Sequence, residues 1–191
     1  MFSLTLTAEL AGYVCRRNGI LLNESHGVED VEKAHSYQDT RLTVARVTNL
    51  RPADTEDVPF WYTFKVQCTS CRETHANWVG PQEQNEMSGS RGEANFVWKC
   101  KNCKRESTAS IKAGAKPYEQ AEPAKPQNIL EFDCRGLEFV EFKPEGDWLA
   151  EGVDSSTKFA GIDLTDDWFE YDEKAGEEVS IQGMKWEIKR A

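Results

Sequence analysis

The chain has 191 residues and a formal net charge of −10, from 33 acidic and 23 basic side chains. Hydrophobic residues make up 39%, enough for a core, so global disorder is excluded and one sizeable domain or two small lobes are expected. The acidic balance repels phosphate backbones at long range and argues against a general nucleic-acid binder. No stretch approaches the ~20 apolar residues of a membrane span.

Phe2, Leu4 and Leu6 alternate with Ser3, Thr5 and Thr7, and period two predicts a half-buried strand. No basic region leads into a long apolar run here, so no signal peptide is expected. Val14 to Leu22 carries a hairpin-type turn at Asn18-Gly19. Residues 23–40, with His26 and His35, are polar and read as loop or a short helix. Leu42, Val44 and Val47 begin another strand, and Arg51 to Pro59 form a charged loop. Phe60, Tyr62, Phe64 and Val66 alternate with polar residues and Trp61, and this strand delivers Cys68. Ser88-Gly89-Ser90-Arg91-Gly92 predicts a tight turn, and lacks the pattern of a phosphate-binding loop. Phe96 and Trp98 alternate with Val97 and Lys99 and deliver Cys100.

Residues 113–128 hold three prolines and few apolar side chains, and read as a linker between 1–112 and 129–191, although one compact unit is the alternative. Leu130, Phe132 and Cys134 then alternate with Glu131 and Asp133, Arg135-Gly136 breaks the run, and Leu137 to Phe142 resume it. Phe169 and Tyr171 precede a turn at Lys174 to Glu177, answered by Val179 and Ile181. Met184, Trp186 and Ile188 alternate with charged residues in a last strand. No 12-residue helical stripe is present, and many short strands predict an all-β barrel or sandwich. A short echo between the segments leading to Trp61 and to Trp148 suggests two similar β-lobes in a pseudo-twofold relation.

Two C-x-x-C pairs stand out: Cys68-Thr69-Ser70-Cys71 and Cys100-Lys101-Asn102-Cys103, with 28 residues between them. Each turn sets two sulfurs on one side of a tight loop, and two such loops supply four soft ligands for tetrahedral Zn²⁺. Iron on the same four thiolates and a redox dithiol are the rival readings. Four protein sulfurs fill the coordination sphere, so the zinc-ribbon-like site is expected to be structural. Between Lys65 and Lys112 eight Lys/Arg face five Glu, which offsets the charge of a zinc tetrathiolate. Between Glu131 and Glu178 sixteen Asp/Glu face four Lys/Arg, read as a solvated face. Metal-ligating thiols imply a reducing compartment, so the expected location is the cytoplasm, with the nucleus as the alternative. Cys15 and Cys134 are read as packed thiols rather than a disulfide.

The run from Ser88 to Glu106, with Phe132-Asp133-Cys134-Arg135-Gly136-Leu137-Glu138 and Tyr171-Asp172-Glu173-Lys174-Ala175-Gly176, resembles the eukaryotic CXXC-motif-containing zinc-binding protein family. The resemblance covers essentially the whole chain. It implies a β-rich protein with pseudo-twofold lobes and Zn²⁺ on Cys68, Cys71, Cys100 and Cys103. It implies no enzymatic activity, and a protein partner of copper-chaperone type that no residue of the sequence itself indicates.

His75, close after Cys71, is redundant as a ligand beside four sulfurs. The carboxylate pairs Asp166-Asp167 and Glu177-Glu178 point to opposite faces of a strand and read as surface. No hydrolase pattern is present. The expected function is therefore a non-enzymatic, monomeric protein-interaction or scaffold protein, with Trp61 or Trp78 lining a peptide groove. The alternatives are a nucleic-acid-binding ribbon using Arg72, Lys99, Lys101, Lys104 and Arg105 with Trp98 or Phe96 stacking, and a thiol- or metal-transfer protein.

Overall fold

The computed structural model describes residues 1–10, 46–55, 57–80, 85–86, 93–94 and 96–190. The expected turns at 18–19 and 88–92, the polar stretch 23–40, the strand start at Leu42 and Val44, and Cys15 lie outside them. Among the described residues there is no helix, and the all-β class expected from the alternation holds. The strands are β1 (Phe2–Glu9), β2 (Val47–Pro52), β3 (Thr63–Cys68), β4 (Thr74–Val79), β5 (Asn85–Glu86), β6 (Glu93–Ala94) and β7 (Phe96–Lys99). They continue with β8 (Glu106–Ile111), β9 (Gln127–Arg135), β10 (Leu137–Lys143), β11 (Trp148–Gly152), β12 (Lys158–Ile162), β13 (Trp168–Asp172) and β14 (Glu177–Arg190).

The largest sheet runs β13-β14-β1-β9-β8-β7; two smaller sheets run β10-β3-β4 and β12-β11-β2, and β5 pairs with β6. Strands from both sides of 113–128 share each of the three larger sheets: β1 lies between β9 and β14, β3 pairs with β10, and β2 pairs with β11. The strand expected to deliver Cys68 begins at Thr63 rather than Phe60. β4 and β8 carry no apolar alternation: β4 is mostly exposed, and the residues β8 buries, Ser107 and Ala109, are small. The expected hairpin return and the last strand are one strand, β14, whose first part pairs with β13 and whose second part pairs with β1. Gly183 sits at the switch with φ 60°, a left-handed conformation that glycine adopts without strain.

The sheets are joined by a chain of ring contacts. Phe2 of β1 stacks on Phe132 of β9, which meets Phe64 of β3 at 5.7 Å. Phe64 stacks on Phe139 at 4.4 Å and leans on Phe142 at 5.2 Å. Phe142 meets Trp186, Trp186 meets Trp148, and Trp148 meets Phe60. Phe64, Phe132 and Trp148 are fully buried, each worth roughly 1.5–3 kcal/mol relative to exposure.

The proline-rich stretch 113–128, expected as a linker, is packed at its middle. Tyr118 is fully buried and exchanges backbone hydrogen bonds with Leu50 of β2. Its hydroxyl accepts from the Ala8 N–H at 3.1 Å and lies 3.0 Å from the carbonyl oxygens of Ala8 and Lys125. A peptide strap thus ties β1 and β2 together.

Asp172, at the end of β13, is buried and accepts four hydrogen bonds. Ser155 Oγ and Thr157 Oγ1 donate from the β11–β12 turn, and the Lys174 and Ala175 N–H groups donate from the β13–β14 turn. Burial pushes its pKa up, but those four donors together outweigh burial and hold the carboxyl below its ordinary value.

Candidate metal centre

The β3–β4 and β7–β8 connections repeat one local geometry. In the first, Arg72 N–H donates to Cys68 O at 2.9 Å and Cys68 N–H to Glu73 O at 2.9 Å. In the second, Lys104 N–H donates to Cys100 O at 3.0 Å and Cys100 N–H to Arg105 O at 2.9 Å. Arg72 (φ 60°) and Lys104 (φ 61°) take the same left-handed position after the second cysteine. The two knuckles thus repeat one backbone conformation.

β3 and β7 deliver the first cysteine of each knuckle inward, so Cys68 and Cys100 are fully buried, while Cys71 and Cys103 are half-buried. All four Sγ atoms lie within 4.8 Å of one another. Cys68 Sγ is 3.7 Å from Cys103 Sγ, and Cys71 Sγ is 3.6 Å from Cys100 Sγ. A tetrahedron with metal–sulfur bonds of about 2.3 Å has S···S edges of roughly 3.8 Å, so the donor set and its spacing fit one zinc ion. None of the four forms a disulfide.

The backbone prepares sulfur for a cation. The Cys71 N–H, the largest influence, and the Ser70 N–H bond to Cys68 Sγ and bring its thiol down to about 6 despite burial. The Cys103 and Asn102 N–H groups do the same for Cys100, whose thiol is also lowered. At Cys103 the Arg105 N–H pulls down, but burial and the three neighbouring sulfurs together push the thiol up to about 11. Without a cation the cluster therefore keeps protons, and four thiolates coexist only around positive charge.

The knuckles are tied to each other and to the body. Arg105 Nη1 donates to Ser70 Oγ at 3.0 Å across the pair, and Thr69 N–H donates to Gly136 O at 3.1 Å in the β9–β10 turn. Arg72, Lys99, Lys101, Lys104 and Arg105 are exposed around the centre, and none pairs with an acid among the described residues. Trp98 is buried edge-on to His75 at 5.4 Å, which removes it as a stacking platform, and Phe96 is half-buried. His75 stands outside the sulfur cluster, and its Nδ1 is buried without a partner among the described residues. Trp61 is 62% exposed, and Trp78 is exposed beneath Lys65 Nζ at 5.1 Å. Asp166 and Asp167 are exposed as expected, and Cys134 is half-buried with its thiol pushed up, chiefly by burial, to about 12. The Asp172 lock escaped sequence reasoning; its signal was an Asp opening a tight turn that closes on Gly176, whose N–H bonds to Asp172 O.

Comparison with known proteins gives a consistent result. The family described as CXXC motif containing zinc binding protein, eukaryotic, matches residues 39–189. A UPF0587 protein of Schizosaccharomyces pombe is 45% identical over 147 residues, covering 76% of this chain and 91% of that one. The CXXC motif containing zinc binding protein of Homo sapiens is 41% identical over 145 residues, covering 74% and 89%. The crystal structure of C1orf123 superposes with a TM-score of 0.72 at 33% identity, covering 100% of this chain and 99% of that one. A hypothetical protein from Plasmodium falciparum shares the fold, with a TM-score of 0.69 at 19% identity and 98% coverage of both chains.

Proposed function

The chain belongs to the eukaryotic CXXC motif containing zinc binding protein family, and from that premise we propose that it is a non-enzymatic interaction protein whose zinc is structural. The observation that carries this reading is the closed set of four sulfurs. Cys68, Cys71, Cys100 and Cys103 would hold Zn²⁺, and four thiolates leave no coordination position for water or substrate. Bound there, the ion supplies positive charge and a cross-link between two hairpins.

Two polar groups outside the knuckles support the non-enzymatic reading. His75, the only histidine among the described residues, faces Trp98, and the Ser155–Thr157–Asp172 cluster is saturated by its own turns. No described helix is long and apolar enough to cross a membrane. We place the protein in a reducing compartment, the cytoplasm, as a monomer that meets a protein partner. The exposed knuckle cations keep nucleic acid as the rival, but with Trp98 buried they lack the principal ring that would stack on bases.

The test is metal analysis before and after chelation, followed by circular dichroism and thermal melting. The expected result is one zinc per chain and loss of the cooperative transition with the metal. A chelated protein that keeps its spectrum and melting temperature overturns the structural role.

A further inference from the structure

β13 is an outer strand of the six-stranded sheet, and among the described residues no strand pairs with its free edge. Sheet edges are templates for further strands, and folds commonly blunt them with charge, proline or a bulge. Here the edge carries such a charge on one face, at exposed Glu170, but on the other shows Phe169, 64% exposed, and Tyr171, 52% exposed.

The backbone at these residues faces the free edge. Opposed pairs in an antiparallel ladder alternate between bonded and unbonded kinds. Tyr171 N–H points away from β14 and is held by the exposed Glu170 carboxylate, 3.1 Å from Oε1, so Tyr171 and Glu178 form an unbonded pair, and an incoming strand displaces that carboxylate. By alternation Phe169 and Ser180 form another. The N–H and C=O groups of Phe169 and Tyr171 therefore face outward, beside the two exposed rings.

Charge selects the occupant. Between Asp163 and Glu178 eight acids stand against one base, Lys174. A second copy of the chain would set this acidic edge against itself, with Glu170 facing like charge. We propose that β13 is a docking edge for an extended basic segment of a partner protein, which adds to the sheet as a strand. Residues bonded to Phe169 and Tyr171 are apolar and lie on the rings, and the residue between them is Lys or Arg and meets Glu170. This names the partner chemistry of the interaction reading and rests on that reading, but it does not involve the metal.

The probe is a synthetic peptide of alternating lysine and valine, titrated against the zinc-loaded full chain by fluorescence anisotropy. Four companions are used: the same peptide with glutamate for lysine, the same peptide with N-methylated valines, and the E170K and F169T proteins. Saturable binding is expected for the lysine peptide and none for the glutamate one. N-methylation keeps the charge but removes the ladder donors, and is expected to abolish saturable binding. Each protein substitution is expected to weaken it about fivefold with melting unchanged. Equal binding of the N-methylated peptide, or unchanged affinity in both variants, would show mere attraction of a cation to an acidic protein and overturn the proposal. So would a stable dimer through β13 that the peptide fails to dissociate. Zinc content and melting, read on the same samples, separate this failure from failure of the structural-zinc reading.

Discussion

The four sulfurs of the knuckles and the carboxylate of Asp172 each gather two hairpin turns around one buried polar centre. The sulfurs join the β3–β4 and β7–β8 turns; the carboxylate joins the β11–β12 and β13–β14 turns. Asp172 carries one charge, and hydroxyls and N–H groups of its own turns satisfy it completely. The cysteines bring up to four negative charges within 4.8 Å, which neutral donors alone do not balance. One lock is complete when the chain folds; the other is completed by an ion. A carboxylate thus suffices where turns supply enough donors, and sulfur is used where a long connection between hairpins needs an external cross-link.

Cys100→Ser tests the sulfur side and has the largest expected effect. It removes a buried ligand and leaves three, so zinc content should fall and the melting temperature should drop by on the order of 20 °C. A variant that retained metal and stability would place the knuckles on the same footing as the carboxylate lock. Asp172→Ala tests the other side. It strands two hydroxyls and two N–H groups, and urea unfolding should show a loss of about 3 kcal/mol with zinc content unchanged. Loss of zinc in this variant would show that the two locks are coupled.

Acidification sharpens the contrast with the smallest perturbation. The carboxyl of Asp172 is held below its ordinary value when folded, so its contribution is present above the unfolded-state value and fades as pH falls through the folded one. Metal-bound thiolates compete with protons and release their ion as pH falls. Zinc release, followed with a chromophoric chelator, should precede the Asp172-dependent loss of stability, which the wild type shows below a pH of about 4 and Asp172→Ala lacks.

The knuckles and the all-β class were legible because both signals are local: two cysteines three residues apart, and side chains alternating with period two. β8 was not, because Ser107 is buried against Gly136, where an added Cβ would lie 2.7 Å from Ser107 Oγ; close approach selects small residues and erases the apolar alternation. Tyr118 was hidden among prolines, since its anchoring role depends on Ala8 and Leu50, far away in sequence. Asp172 was submerged in a run of surface acids, and its one local signal, an Asp opening a turn that closes on Gly176, does not reveal the Ser155 and Thr157 hydroxyls that meet it from another hairpin.

Trp98 lies two residues before a ligand cysteine, out of solvent and edge-on to His75. Its indole therefore serves as an intrinsic optical gauge of the knuckles. Excitation of the native protein, with no label attached, can follow ion loading in real time, and replacing Trp98 with phenylalanine isolates that signal from the glow of the remaining tryptophans.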